Sequence, residues 1–119
     1  MATPNERRRF QRVAFAAKTR LEQGALQWPT RLIDVSLKGL LLETPKPFAG
    51  ATEASFTAQI ELGPQLYIEM QLRLSHQTPE ALGFVCTHID IDSITHLRRL
   101  LELNLGDAEL LERELSALS

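Results

Sequence analysis

The chain has a single cysteine, Cys86, so it can form no disulfide within itself. Cys86 lies in an apolar, strand-like stretch, which predicts a buried and inert thiol. No apolar run approaches the length that spans a membrane, and the stretch after the N-terminal arginines is too short for a secretory signal. We therefore expect a cytoplasmic protein with no membrane insertion.

The sequence also lacks the short motifs of common catalytic and metal sites. It has no Gly-rich phosphate loop, no Gly-x-Ser-x-Gly elbow and no His-Glu-x-x-His pair. His88 and His96, with Asp90 and Asp92 nearby, match no compact spacing of metal ligands. We therefore expect a protein that is not an enzyme and that holds no metal or other cofactor.

Charge is nearly balanced overall but is unevenly distributed along the chain. The net charge of −2 does not predict a nucleic-acid-binding protein. Residues 1–20 carry six basic residues against one acid, whereas residues 100–119 carry five acids against one arginine. The chain thus has a basic arm at one end and an acidic segment at the other.

Two short motifs carry most of the recognisable chemistry. The first places four arginines within six residues and no acid among them: Arg7, Arg8, Arg9 and Arg12. Four fixed positive charges need an anion, and the guanidinium fork suits phosphate and the O6/N7 edge of guanine. The second motif is Asp34-x-Ser36-x-x-Gly39. It is typical of a turn in which Asp and Ser bond the backbone and Gly supplies a positive φ.

Alternation of apolar and polar residues predicts about six short strands and a mainly β fold. The even spacing favours a six-stranded antiparallel β-barrel. Turns are expected at Gln23-Gly24 and Gly63-Pro64, and Pro29 is expected to interrupt the second strand. The predicted organisation is a flexible basic arm over residues 1–11, a barrel over 12–91 and C-terminal helices over 92–119.

The C-terminal region changes to a helical period. Asp92 or Ser93 is expected to cap a first helix, which turns apolar residues toward the core: Ile94, Leu97, Leu100, Leu101 and Leu105. Gly106 is expected to end it. Asp107 then begins a second helix with Leu110, Leu111, Leu115 and Leu118 on one side.

The spacing Arg8-x-x-x-Arg12 followed by Asp34-x-Ser36-x-x-Gly39 resembles the signature of the PilZ domain, the bacterial receptor module for cyclic di-GMP. The segments 6–15, 83–99 and 102–115 also resemble small single-domain PilZ proteins of gamma-proteobacteria. The resemblance implies a PilZ-type barrel and a non-enzymatic receptor that changes the conformation of its arm on binding and signals to a partner protein; whether the acidic C-terminal tail also moves is left open. It implies ligand contacts from Arg7, Arg8, Arg12, Asp34, Ser36 and Gly39, with smaller roles for Arg9 and His76.

Several questions stay open at this level. An exposed His76 is as compatible with a loop-end residue as with one that stacks on a base, and Trp28 is expected to pack at a strand edge. The ligand can be one molecule or a stacked dimer, and the downstream protein partner is unidentified. Two alternatives are a barrel that binds single-stranded nucleic acid and a PilZ-type adaptor that binds only protein.

Overall fold

The computed structural model describes residues 12–105 and residue 115. Six strands and one helix follow one another in this part of the chain. The strands are β1 Val13–Gln23, β2 Leu26–Val35, β3 Gly39–Glu43, β4 Phe56–Gly63, β5 Leu66–Gln77 and β6 Ala81–Ile89, and the helix is α1 Ile91–Leu105.

The six strands form a closed barrel in the order β1-β2-β3-β6-β5-β4, and every neighbouring pair is antiparallel. Pairing of β1 with β4 closes the ring, with Thr19 opposite Ile60 and Glu22 opposite Thr57. Closure removes the free strand edges that an open sheet would expose. The predicted six-stranded antiparallel barrel is confirmed.

Two tight hairpins connect the longest strands. Gly24 and Ala25 join β1 to β2, and Gly24 has a φ of 59°. Pro64 and Gln65 join β4 to β5, and Gln65 has a φ of 60°. Proline followed by a positive φ is the combination of a type II turn. Both turns begin one residue later than the sequence predicted.

The second strand is continuous, so the predicted interruption near Pro29 is wrong. Pro29 lies within β2, opposite Arg20 of β1. It lies outside the part of β2 that pairs with β3, which begins at Leu32. A residue without an N–H is tolerated where a strand has no partner on one side, and this explains why the strand passes through Pro29.

Inward-facing residues of the strands fill the barrel with aliphatic and aromatic side chains. On β1 the buried positions alternate, as predicted, and include Val13, Ala17 and Leu21. An aromatic cluster closes one region of the core, where Trp28 packs against Phe48 and Phe56 with ring centroids 5.0 and 6.3 Å away. Trp28 is 8% exposed, so it is a packing residue, as expected.

Helix α1 packs mainly against β5 and also contacts β1. Leu97 and Leu101 are fully buried, which agrees with the predicted apolar face. The predicted cap was wrong: Asp90 caps the helix, because the Ser93 N–H donates to Asp90 Oδ1 at 2.7 Å. The Ser93 hydroxyl instead accepts the Glu69 N–H of β5 at 2.9 Å and joins the helix to the barrel.

The remaining predicted segments lie outside the described residues. These are the basic arm and the second helix, apart from the helical residue Leu115, which is partly buried against the core. In the part of the chain that the structure describes, no helix is both long and apolar enough to cross a membrane.

Candidate functional site

The Asp34-x-Ser36-x-x-Gly39 motif forms the turn between β2 and β3. The Ser36 N–H donates to the Gly39 carbonyl at 2.9 Å, and the Ser36 hydroxyl accepts the Lys38 N–H at 3.1 Å. The Lys38 carbonyl accepts the Cys86 N–H of β6 at 2.7 Å. Ser36 is 3% exposed. The motif is therefore a hydrogen-bonded turn between β2 and β3 that is also bonded to β6.

Gly39 is required for a reason that the sequence did not indicate. Gly39 does not adopt a positive φ, so that part of the prediction is wrong. A Cβ at this position would lie 2.1 Å from the Phe84 carbonyl oxygen and 3.2 Å from the Val85 Cα. The backbones of β3 and β6 approach too closely for any side chain, and Gly39 permits the barrel to close here.

The β1–β2 hairpin brings the two sequence motifs together. Val13 pairs with Val35 and Ala14 with Asp34, so Arg12 lies beside the end of β2. Arg12 Nη1 donates to Asp34 Oδ1 at 2.6 Å. The two side chains are 49% and 20% exposed, and an ion pair of this kind contributes about 1 kcal/mol or less. A ligand that offers better partners to both groups can therefore replace the pair at little cost.

An irregularity near the end of β5 places His76 on the same side of the barrel. Leu74 pairs with Phe84 and His76 with Gly83, so one extra residue, Ser75, is inserted on β5. The Ser75 hydroxyl donates to the Gly83 carbonyl at 3.1 Å. A bulge of this kind redirects side chains. Ser75 and His76 both line the cleft described next.

Arg12, the turn and the bulge surround one cleft of about 590 Å³, within the range of small-molecule sites. The structure thus brings together five of the eight predicted residues: Arg12, Asp34, Ser36, Gly39 and His76. The other three, Arg7, Arg8 and Arg9, lie outside the described residues.

Sequence reasoning missed six residues that also line the cleft: Lys38, Leu41, Ser75, Gly83, Phe84 and Val85. Lys38 adds a second cation beside Arg12, and its position inside the turn motif was an available signal. Leu41 and Val85 supply an apolar surface, and Val85 is 43% exposed there. The cleft therefore combines two cations, one carboxylate and apolar side chains, which suits a flat anionic ligand with hydrogen-bonding edges.

The remaining candidates lie elsewhere. Trp28 is buried in the aromatic cluster and does not line the cleft. Burial raises the pKa of the Cys86 thiol, an effect that a backbone hydrogen bond at His88 and the positive charge of Lys38 partly oppose. Within residues 12–105 and 115, no three His, Cys, Asp or Glu side chains are grouped as metal ligands would be.

Comparison with known proteins identifies a family whose model matches this chain and solved structures with a similar fold. A family model described as the PilZ domain matches residues 6–103. The fold is similar to that of the Bacillus subtilis inhibitor of motility MotI/DgrA, with a TM-score of 0.67 and 14% identity over 85% of this chain. The chain spans about half of that protein, 52% of its length. The fold is also similar to the PilZ domain of CeSA from a cellulose-synthesizing bacterium, with a TM-score of 0.60, 12% identity and coverage of 81% of this chain and 96% of that one.

Proposed function

Because this chain belongs to the PilZ domain family, we propose that it is a non-enzymatic cytoplasmic receptor for cyclic di-GMP. The observation that carries the proposal is the convergence of Arg12, Asp34 and His76 on one cleft. Arg12 directly precedes β1, Asp34 lies near the end of β2 and His76 lies near the end of β5, and the folded barrel brings His76 to the other two.

Each group in the cleft matches a part of this ligand. The Asp34 carboxylate can accept hydrogen bonds from guanine N1–H and N2–H₂, which adenine cannot supply in that arrangement. Arg12 and Lys38 can neutralise phosphate, and arginine does so through two parallel hydrogen bonds. Ser36 accepts the Lys38 N–H but keeps its own hydroxyl proton for a base or a phosphate.

His76 and the apolar residues complete the proposed base site. An imidazole at the rim can stack on a guanine whose other surface meets Val85 and Leu41. Gly39 supports the site through barrel closure and offers no side chain for contact.

The N-terminal arm supplies the remaining charge in this proposal. Arg7 and Arg8 contact the phosphates, with a smaller contribution from Arg9. A third arginine in contact with the ligand favours a stacked dimer of cyclic di-GMP. A change in the conformation of the arm on binding then alters the surface that a downstream partner protein meets.

The first experiment is isothermal titration with cyclic di-GMP, with linear and mononucleotide guanine compounds as controls. Arg8→Ala and Arg12→Ala should each weaken binding, because each removes a charge-assisted contact worth about 1.5–3 kcal/mol, or roughly ten- to hundred-fold in affinity. Asp34→Ala should relax selectivity for guanine, and His76→Ala should weaken binding through lost stacking.

Arg99→Ala is the matched control, since Arg99 is exposed on α1 and does not line the cleft. It should bind like the native chain. Native affinity in the Arg8, Arg12 and Asp34 variants would reject the proposed site. No binding by the native chain would instead favour an adaptor that recognises only protein.

A further inference from the structure

A second cavity, of about 610 Å³, lies on the outer surface of β1, β2 and β4. Most of its lining residues come from β1 and β2, and Tyr67 of β5 adds to those of β4. Three cations line it, and we call Lys18, Arg20 and Arg31 the outer basic patch. No residue lines both this cavity and the cleft, so both surfaces can be occupied at once.

The outer basic patch contains an unfavourable pair of like charges. Lys18 lies directly opposite Arg31 in the β1–β2 ladder, and both side chains are exposed. Like charges that face each other across two strands destabilise a sheet. This pair of like charges therefore does not contribute to the stability of the barrel.

The charges in the patch are only partly neutralised by the described residues. Arg20 forms an ion pair, with its Nε 2.9 Å from Glu22 Oε2, and its Nη2 donates a hydrogen bond to Gln59 Oε1. Between residues 12 and 105, neither Lys18 nor Arg31 has an acid within ion-pair distance. Glu61 lines the same cavity but pairs with neither.

The same surface exposes apolar groups of the kind found in protein interfaces. Tyr67 is 48% exposed and lines the cavity, and Pro29 is exposed on β2 beside it. Tyrosine and arginine are enriched at the residues that contribute most to protein binding. A partner can therefore gain both charge pairing and apolar contact here.

We propose that the outer basic patch is a docking surface for an acidic segment of a partner protein. Three cations beside Glu61, in a chain of net charge −2, suit a short acidic peptide better than a long polyanion. Tyr67 is a single exposed aromatic residue there, whereas surfaces for single-stranded nucleic acid present several for base stacking.

The test is an NMR titration of the ¹⁵N-labelled full chain with hexaglutamate, with an oligothymidylate of equal charge in parallel. Hexaglutamate should shift the amide signals of residues 18–20, 27–28, 30–31, 59–63 and 65–67, the two prolines between these ranges having no amide N–H. Lys18→Glu should weaken the affinity measured from these signals by about tenfold or more. The same change places opposite charges across the β1–β2 ladder and should leave the thermal midpoint unchanged or higher.

Arg99→Glu is the matched control, because it makes the same charge change on an exposed position of α1. It should leave the shifts of the patch unchanged. Three results would overturn the proposal: no shift at these amides, equal weakening by both variants, or tighter binding of the oligothymidylate at the patch. The last result would assign the patch to nucleic acid.

Discussion

Replacement of Gly39 by alanine provides the sharpest test of how the barrel closes. The added Cβ would lie 2.1 Å from the Phe84 carbonyl oxygen and 3.1 Å from its carbonyl carbon. Both are backbone atoms of β6, so no side-chain rotation can relieve the contact. The two strands must separate by roughly 1 Å to reach the shortest spacing seen for real Cβ atoms.

The expected cost follows from this displacement. Overpacking of a filled site costs about 1–3 kcal/mol, and each weakened ladder hydrogen bond adds about 0.5–1.5 kcal/mol. Gly39 pairs with Val85 and Leu40 with Phe84, so one or two such bonds are affected. We expect Gly39→Ala to lower the free energy of unfolding by about 2–5 kcal/mol, a large share of the stability of a small domain.

Urea denaturation followed by fluorescence measures this effect, because Trp28 is the only tryptophan and is buried. The midpoint should fall by roughly 1 M or more. Gly63→Ala is the matched control: a Cβ there meets nothing within 4 Å, and stability should change by about 1 kcal/mol or less. If Gly39→Ala stays within about 0.5 kcal/mol of the native chain, the closure argument is wrong.

Three further predictions concern local contacts. Asp90→Ala should lower the free energy of unfolding by about 1 kcal/mol in thermal denaturation, because the hydrogen bond from the Ser93 N–H is lost. Asp90→Asn keeps an acceptor oxygen and should retain most of the stability. Equal losses in the two variants would argue against the cap. Ser36→Ala should cost about 1 kcal/mol in urea, since the Lys38 N–H loses its acceptor, and native stability would contradict this role. Burial raises the pKa of Cys86, so the stability that the neutral thiol contributes should be complete below about pH 8.5 and be lost as pH rises through the folded pKa. The Cys86→Ala variant should lack this loss in denaturation measured across pH, and an unchanged pH profile would refute the assignment.

Local sequence patterns predicted most of the strands and part of the site. The alternation on β1, β4 and β5 is a short-range property and survives in the barrel, as the buried Leu21, Ile60 and Met70 show. The position of Arg12 beside Asp34 also followed from a single hairpin, because a tight turn sets the register of its two strands. The helix cap is Asp90 and not the predicted Asp92 or Ser93, because three acidic or hydroxyl residues within four positions are all suitable caps.

Contacts between distant strands required the tertiary structure. Closure of β3 against β6 explains Gly39, and the bulge at Ser75 explains the position of His76. Neither of these relations has a signal in the residues themselves, because a bulge or a shift of one residue reverses which side of a sheet a side chain faces. The sequence by itself determined the strands, the hairpins and the two motifs that one hairpin brings together; the closed barrel decided that His76 and the residues of β6 join them around the cleft, because those contacts are made between distant strands.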